Sequence, residues 1–248
     1  MIIDELIEVA LSSCKDKKVS DIRLGLGYTG VLLDDGSCGL AYTFRNELGA
    51  CCSLFNEAGT LKGRDIEELI NWSKDQDLAK AAIGVASINA IINNKVENYS
   101  QNNIIDLIDI KQDEIFGMVG NFKPILKEVE TKTNNIYIFE KKNFNNPNIY
   151  PESAMEKYLP KCDIVLITAT SIINKTIDGI LEKNKNAREL YIVGPSTPVC
   201  SEVFKKYGVT LLAGSIVKKP LETLDIISQG GGTKSMKGFI KNIVVDLK

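Results

Sequence analysis

Histidine is absent from the 248 residues of this chain. Imidazole is the commonest metal ligand and the commonest general base near neutral pH, so Ser-His-Asp, Cys-His and His-metal mechanisms are all excluded. No uninterrupted apolar span is long enough to cross a membrane, and none is expected to. Residues 1–18 carry acids ahead of their apolar run, the wrong order for a secretory signal, so a cytoplasmic location is expected. Neither sign of charge dominates: 30 Lys and Arg stand against 32 Asp and Glu, a formal net charge of −2. No stretch gathers Lys or Arg on one face, which argues against nucleic acid as a partner. The six cysteines include no C-x-x-C pair and read as free thiols in a reducing compartment.

What is present fits an ordinary globular chain, with 44% hydrophobic and 25% charged residues. Ile3, Leu6, Ile7, Ala10 and Leu11 recur at helical spacing and predict a helix over residues 2–14. Strand-like runs follow at 21–24, 29–33 and 38–44, parted by Gly25-Leu26-Gly27 and by Asp34-Asp35-Gly36-Ser37, whose Asp-Gly step is a hairpin signal. Helices are expected at 65–73 and 78–92. Asn93-Asn94 and Asn102-Asn103 mark turns, and a domain boundary is placed near Asn103, giving domains 1–103 and 104–248.

Beyond that point strands alternate with helices. Strands are expected at 115–119, 136–140, 163–170, 189–193 and 209–212, with helices at 125–131, 153–159, 175–183 and 199–207 between them. Continuously apolar strands joined by helices imply a Rossmann-like parallel sheet covered on both faces. Residues 221–228 and 238–243 read as closing helices. The fold class is therefore α/β, a three-stranded α+β unit followed by a parallel sheet.

Ligands of open parallel sheets bind beyond the carboxyl ends of the strands, where the strand order reverses. Small and polar residues concentrate at those ends here: Gly120-Asn121-Phe122, Thr168 with Thr170, Ser171 and Asn174, Gly194-Pro195-Ser196-Thr197, and Gly214. Gly120 lets the backbone approach a polar group, or simply makes a tight turn; the G-x-x-G spacing of Gly117 and Gly120 falls short of a dinucleotide fingerprint. Glu140, about twenty residues further on, stands where an acid usually holds a ribose hydroxyl, and equally suits a solvated strand end. Ser171 and Asn174 also suit helix capping. Pro195 and Pro198 stiffen their loop while its hydroxyls are expected to stay free. Asn89 lies in an otherwise apolar helix and needs a partner, either backbone or ligand. Cys51 and Cys52 are vicinal and point to opposite faces if extended, so that one can meet a soft metal, with Glu47 and Glu57 near in sequence.

Several segments together resemble a family named for heavy-metal chelation: Tyr28-Thr29-Gly30-Val31, Gly39-Leu40-Ala41-Tyr42-Thr43, residues 58–64, Gly84-Val85-Ala86 with Asn89-Ala90, Gly117-Met118-Val119-Gly120, residues 163–174, and Gly194-Pro195-Ser196-Thr197-Pro198. The resemblance implies an enolase-N-terminal-like domain followed by a Rossmann-like one, with the site in the cleft between them. It brings Thr43 into the set of candidate ligand-binding residues. The expected function is the binding, with or without processing, of a small ligand linked to metal homeostasis, either a divalent or heavy-metal ion or a metal complex. The alternatives are an enzyme using a nucleotide or nucleotide-derived cofactor and a non-catalytic scaffold. Self-association into a homo-oligomer is compatible with all three.

Overall fold

The computed structural model describes residues 1–48, 56–141, 148–184 and 186–248. Helix α1 (Ile2–Ser12) buries Ile2, Ile3, Leu6, Ile7 and Ala10, the stripe its spacing predicts. The meander β1 (Val19–Leu24), β2 (Tyr28–Leu33) and β3 (Cys38–Tyr42) forms an antiparallel sheet in that order. Helix α2 (Ile66–Asn71) precedes α3 (Leu78–Ile92), in which 13 of 15 residues are buried and whose N-terminus is capped by the Asp77 carboxylate. A helix apolar on every side must lie between layers, and α3 packs across β2 and β3. Gly39 makes this approach possible: a Cβ there would stand 2.1 Å from the Ala86 carbonyl oxygen.

After the short α4 (Ile104–Leu107) the second sheet begins. Its elements are β4 (Phe116–Val119), α5 (Lys123–Val129), β5 (Ile136–Glu140), β6 (Ile149–Pro151), α6 (Met155–Tyr158), β7 (Ile164–Thr168), α7 (Thr170–Ile173), α8 (Ile177–Glu182), β8 (Glu189–Val193), α9 (Ser201–Phe204), β9 (Leu211–Val217), α10 (Pro220–Ser228) and β10 (Ile240–Asp246). The seven strands run in the order β10-β9-β8-β7-β4-β5-β6. All pairs are parallel except β10 with β9. The order reverses between β4 and β7, which fixes the crevice of the sheet at their carboxyl ends.

Three details depart from the sequence expectation. Residues 238–243 do not form a helix: Gly238 turns the chain at φ +89°, and β10 pairs antiparallel with β9, Ile240 opposite Val217. The β-branched Ile240, Ile243, Val244 and Val245 suit a strand better than a helix. Strand β6 was not expected; it is three residues long and ends in Pro151, which only an edge strand tolerates. Strand β9 extends to Val217 rather than stopping at 212, so Ala213, Gly214 and Ser215 lie within it.

Both faces of the large sheet are apolar. Along β7, Val165 and Ile167 join a buried cluster shared with α1 and α3, while Ile164 and Leu166 join another beneath α5. A third cluster, Leu32, Cys38 and Leu40 with Val217, Leu224, Ile227 and Met236, binds the meander to α10 and the end of β9. The meander is thereby held over the crevice. Among the described residues no helix is long and apolar enough to cross a membrane.

Candidate functional site

A cavity of about 390 Å³ opens at the β4/β7 reversal, floored by strand ends and roofed by the meander. The turn after β4 depends on Gly120, whose φ of +89° suits glycine and whose amide donates to the Phe139 carbonyl (3.0 Å). A Cβ at Gly120 would lie 3.1 Å from the Thr168 side chain, so the turn and β7 approach as closely as they do only without one.

Glu140, at the end of β5, reaches into the same cavity. Burial raises its pKa above 4.5, the nearby Glu152 adds to the rise, and the amides of Lys141 and Asn121 act against it by donating to the carboxylate. After β7, the Thr168 and Thr170 hydroxyls lie 3.0 Å apart as a pair. Ser171 donates to the Thr168 carbonyl (2.6 Å), and the Asn174 carbonyl oxygen accepts from the amide and hydroxyl of Thr176. No side chain caps α8, the helix that Ser171 or Asn174 was expected to cap: Ser171 lies inside α7, and Asn174 instead orders the approach to the α8 N-cap, Thr176.

The loop after β8 is tied down on two sides. Ser196 Oγ accepts from the Tyr42 amide (2.8 Å), and the single Thr197 hydroxyl proton is shared between the carbonyls of Gly194 (2.8 Å) and Ala213 (2.9 Å). The hydroxyls expected to be free are therefore engaged, because a buried loop must satisfy its own backbone. Asn93 supplies what they leave unmet: its amide nitrogen donates to the Thr197 (2.9 Å) and Ser215 (3.2 Å) carbonyls while its oxygen accepts from Val199 N–H (2.8 Å). Read in the sequence as a turn residue, Asn93 is 1% exposed.

Eleven of the expected residues line this one cavity: Gly120, Asn121, Phe122, Glu140, Thr168, Thr170, Ser171, Asn174, Gly194, Pro195 and Ser196. Four others do not line it. Asn89 is buried in α3 and donates to the Leu40 carbonyl (2.7 Å), fixing β3 to the helix. Thr43 pairs with Thr29 (2.9 Å) in the buried layer. Thr197 is fully buried, and Gly214 sits inside β9, where a Cβ would meet Val199 at 2.6 Å. Cys51 and Cys52 lie outside the described residues. Glu47 is at the mouth, 3.9 Å from Lys141.

The sequence reading missed the aromatic roof. Tyr28 lies opposite Tyr42 in the β2–β3 register, and Phe44 follows two residues on. The Tyr28–Tyr42 and Tyr42–Phe44 rings meet edge to face at 6.2 and 5.2 Å. Strand alternation, which puts residues 42 and 44 on one face, was the available signal. Burial pushes the Tyr28 phenol up to about 12, so it stands as a neutral hydroxyl in the lining. Lys141 lies 5.8 Å above the Phe44 ring, a cation on an aromatic face.

Among the described residues no thiol lines the cavity. Cys14, Cys38, Cys162 and Cys200 are buried free thiols outside the cavity, and burial raises all four, Cys38 and Cys162 to about 12. Among the described residues no group of three or more His, Cys, Asp or Glu is placed to hold a metal ion.

Two family models match the chain, over residues 7–92 and 103–246, and both carry the description "Putative heavy-metal chelation". The second match alone spans more than half the chain. The chain belongs to that family. An uncharacterised protein of Methanocaldococcus jannaschii is 27% identical over 271 residues, covering 100% of this chain and 99% of that protein. A DUF364-family protein of unknown function from Pyrococcus horikoshii has a crystal structure that superposes with a TM-score of 0.86 at 25% identity, covering 99% of this chain and 100% of its own. One from Desulfitobacterium hafniense, also of unknown function, gives 0.81 at 24% identity and 98% coverage of both chains, a likeness of fold.

Proposed function

We propose that this protein binds, in the cytosol, a small organic complex of a heavy metal rather than the bare ion, in the cavity between the meander and the β4/β7 strand ends. We further propose that the chain divides near Asn103 into domains 1–103 and 104–248, with this cavity between them; the separate ranges of the two family matches support the division. The observation that carries the ligand reading is the lining itself, with three glutamates, one lysine and an aromatic roof. A bare soft ion is held by thiolates or imidazoles in a cage, for which the described residues offer no set. A flat complex bearing net positive charge meets rings on one side, the Thr168–Thr170 hydroxyl pair on the other, and Glu140 between.

Magnitudes rank these contacts. A unit cation about 4 Å from the Glu140 carboxylate gains about 4 kcal/mol at an effective dielectric of about 20, before desolvation. A cation on a ring gains about 1 kcal/mol, so the carboxylate decides the sign of the ligand. The same carboxylates oppose a nucleotide's phosphates, which places the nucleotide alternative second.

Equilibrium dialysis of the full chain tests the reading, with nickel(II) alone and as its 2,2′-bipyridine complex. The complex is expected to be retained at one per chain, about tenfold less tightly by Glu140→Gln. Retention of bare nickel but not of the complex, abolished by Cys51→Ser with Cys52→Ser, would put the metal on the thiols and refute the proposal.

A further inference from the structure

On the other side of the Gly194-Pro195 turn lies a groove of about 620 Å³ over β8, β9 and β10 that shares Val193, Gly194 and Pro195 with the first cavity. Among the described residues its lining contains two lysines, Lys234 and Lys237, and no acid, where the first cavity contains three glutamates. Both lysines are exposed, and neither has an ion-pair partner among the described residues. Their loop is held in place. Met236 between them is fully buried in the third cluster, and the Ser235 and Met236 amides donate to the Gly232 carbonyl at 2.9 and 3.1 Å.

Two neutral side chains of the groove add donors. Asn242 spends its carbonyl oxygen on the Ser215 hydroxyl (3.2 Å), and Asn103 spends its own on the Ile105 amide (3.2 Å). Among the described residues neither NH₂ group has a protein acceptor. Two exposed ammonium groups beside two amide donors favour a negatively charged ligand rich in acceptor oxygens. The neighbouring lysines do not line the groove: Lys219, next to Lys218, lies 5.5 Å over the Phe239 ring, and Lys241 donates to the Tyr99 hydroxyl (2.8 Å).

We propose that this groove is a second binding site, for a small multiply charged oxyanion, a phosphate ester or a polycarboxylate. It is independent of the reading given to the cavity. Isothermal titration of the full chain at low ionic strength, with pyrophosphate in one arm and citrate in the other, tests it. Saturable binding of one anion per chain is expected in at least one arm, and the tighter arm identifies the source. Lys234→Ala with Lys237→Ala is expected to weaken it about tenfold. Asn242→Leu, which keeps the charge but removes the amide donor together with the oxygen that accepts from Ser215, is expected to weaken it about threefold. Glu140→Gln should leave it unchanged, and thermal unfolding midpoints check that each variant is folded. The proposal is overturned if neither anion binds, if the double lysine variant binds as well as the parent, if Asn242→Leu is without effect, or if Lys218→Ala with Lys219→Ala weakens binding as much as the groove pair does.

Discussion

The cavity at the β4/β7 reversal and the groove over β8 to β10 share one turn of backbone and differ in nearly everything else. The first is roofed by rings and lined with carboxylates; the second lies open over the sheet and is lined with lysines and amide donors. A chain of net charge −2 thus separates its signs over the thickness of a single loop. Composition reports the sum, and the fold determines the local field that a ligand meets.

The sharpest way to break the contrast is to release the shared wall. Asn93 satisfies two carbonyls and one amide of the 194–199 loop and β9, and Asn93→Ala leaves all three unpaired. At roughly 1–3 kcal/mol for each buried orphan, relaxation included, a loss of about 3 kcal/mol is expected in urea unfolding, with weaker binding at both sites. A loss under about 1 kcal/mol would mean that the loop holds itself.

Gly120→Ala should act on one side only. The residue has φ +89° and would crowd Thr168, so a cost of about 1–3 kcal/mol is expected, together with weakened binding in the cavity and an unaffected groove. Equal damage to both affinities, measured by titration, would count against separate sites.

Glu140 gives a pH signature. Its native pKa is raised above 4.5 by burial, so the folded chain holds that proton more tightly than the unfolded one. Stability relative to a glutamine is fully present below pH 4.5 and is lost as pH rises through the native value. Melting temperatures of Glu140→Gln and the parent should coincide at pH 4, with the variant higher at pH 7. A variant that melts lower at pH 7 would show that the carboxylate is paired rather than stranded.

Salt should produce the smallest difference. The exposed Lys234 and Lys237 are screened once the Debye length falls below about 8 Å, whereas the half-buried Glu140 carboxylate is screened less. Anion affinity is therefore expected to fall more steeply with added sodium chloride than affinity for the nickel complex.

Much of this was legible in the residues. Continuous apolar runs such as 164–168 announced a sheet buried on both faces, and the clustering of Gly, Thr, Ser and Asn after those runs located most of the cavity floor. The roof was not, because Tyr28, Tyr42 and Phe44 look like ordinary strand residues until the meander is laid over the crevice. Strand β10 escaped because an edge strand closing the sheet antiparallel carries no βαβ signature. The groove escaped because Lys234 and Lys237 meet Asn103 and Asn242, remote in sequence, only when β9, the 230–239 loop and β10 are folded together. Ser196 lines the cavity and Thr197 does not, because whether a hydroxyl is free depends on Tyr42 and Ala213, partners remote in sequence.

The central claim is that a charged metal complex sits between Glu140 and the rings. Anomalous diffraction at the nickel edge, from crystals of the full chain grown with the nickel–bipyridine complex, locates the metal directly. One peak between Glu140 and the Tyr42 and Phe44 rings is the predicted result. A peak at Cys51 and Cys52, or none in the cavity, would contradict it.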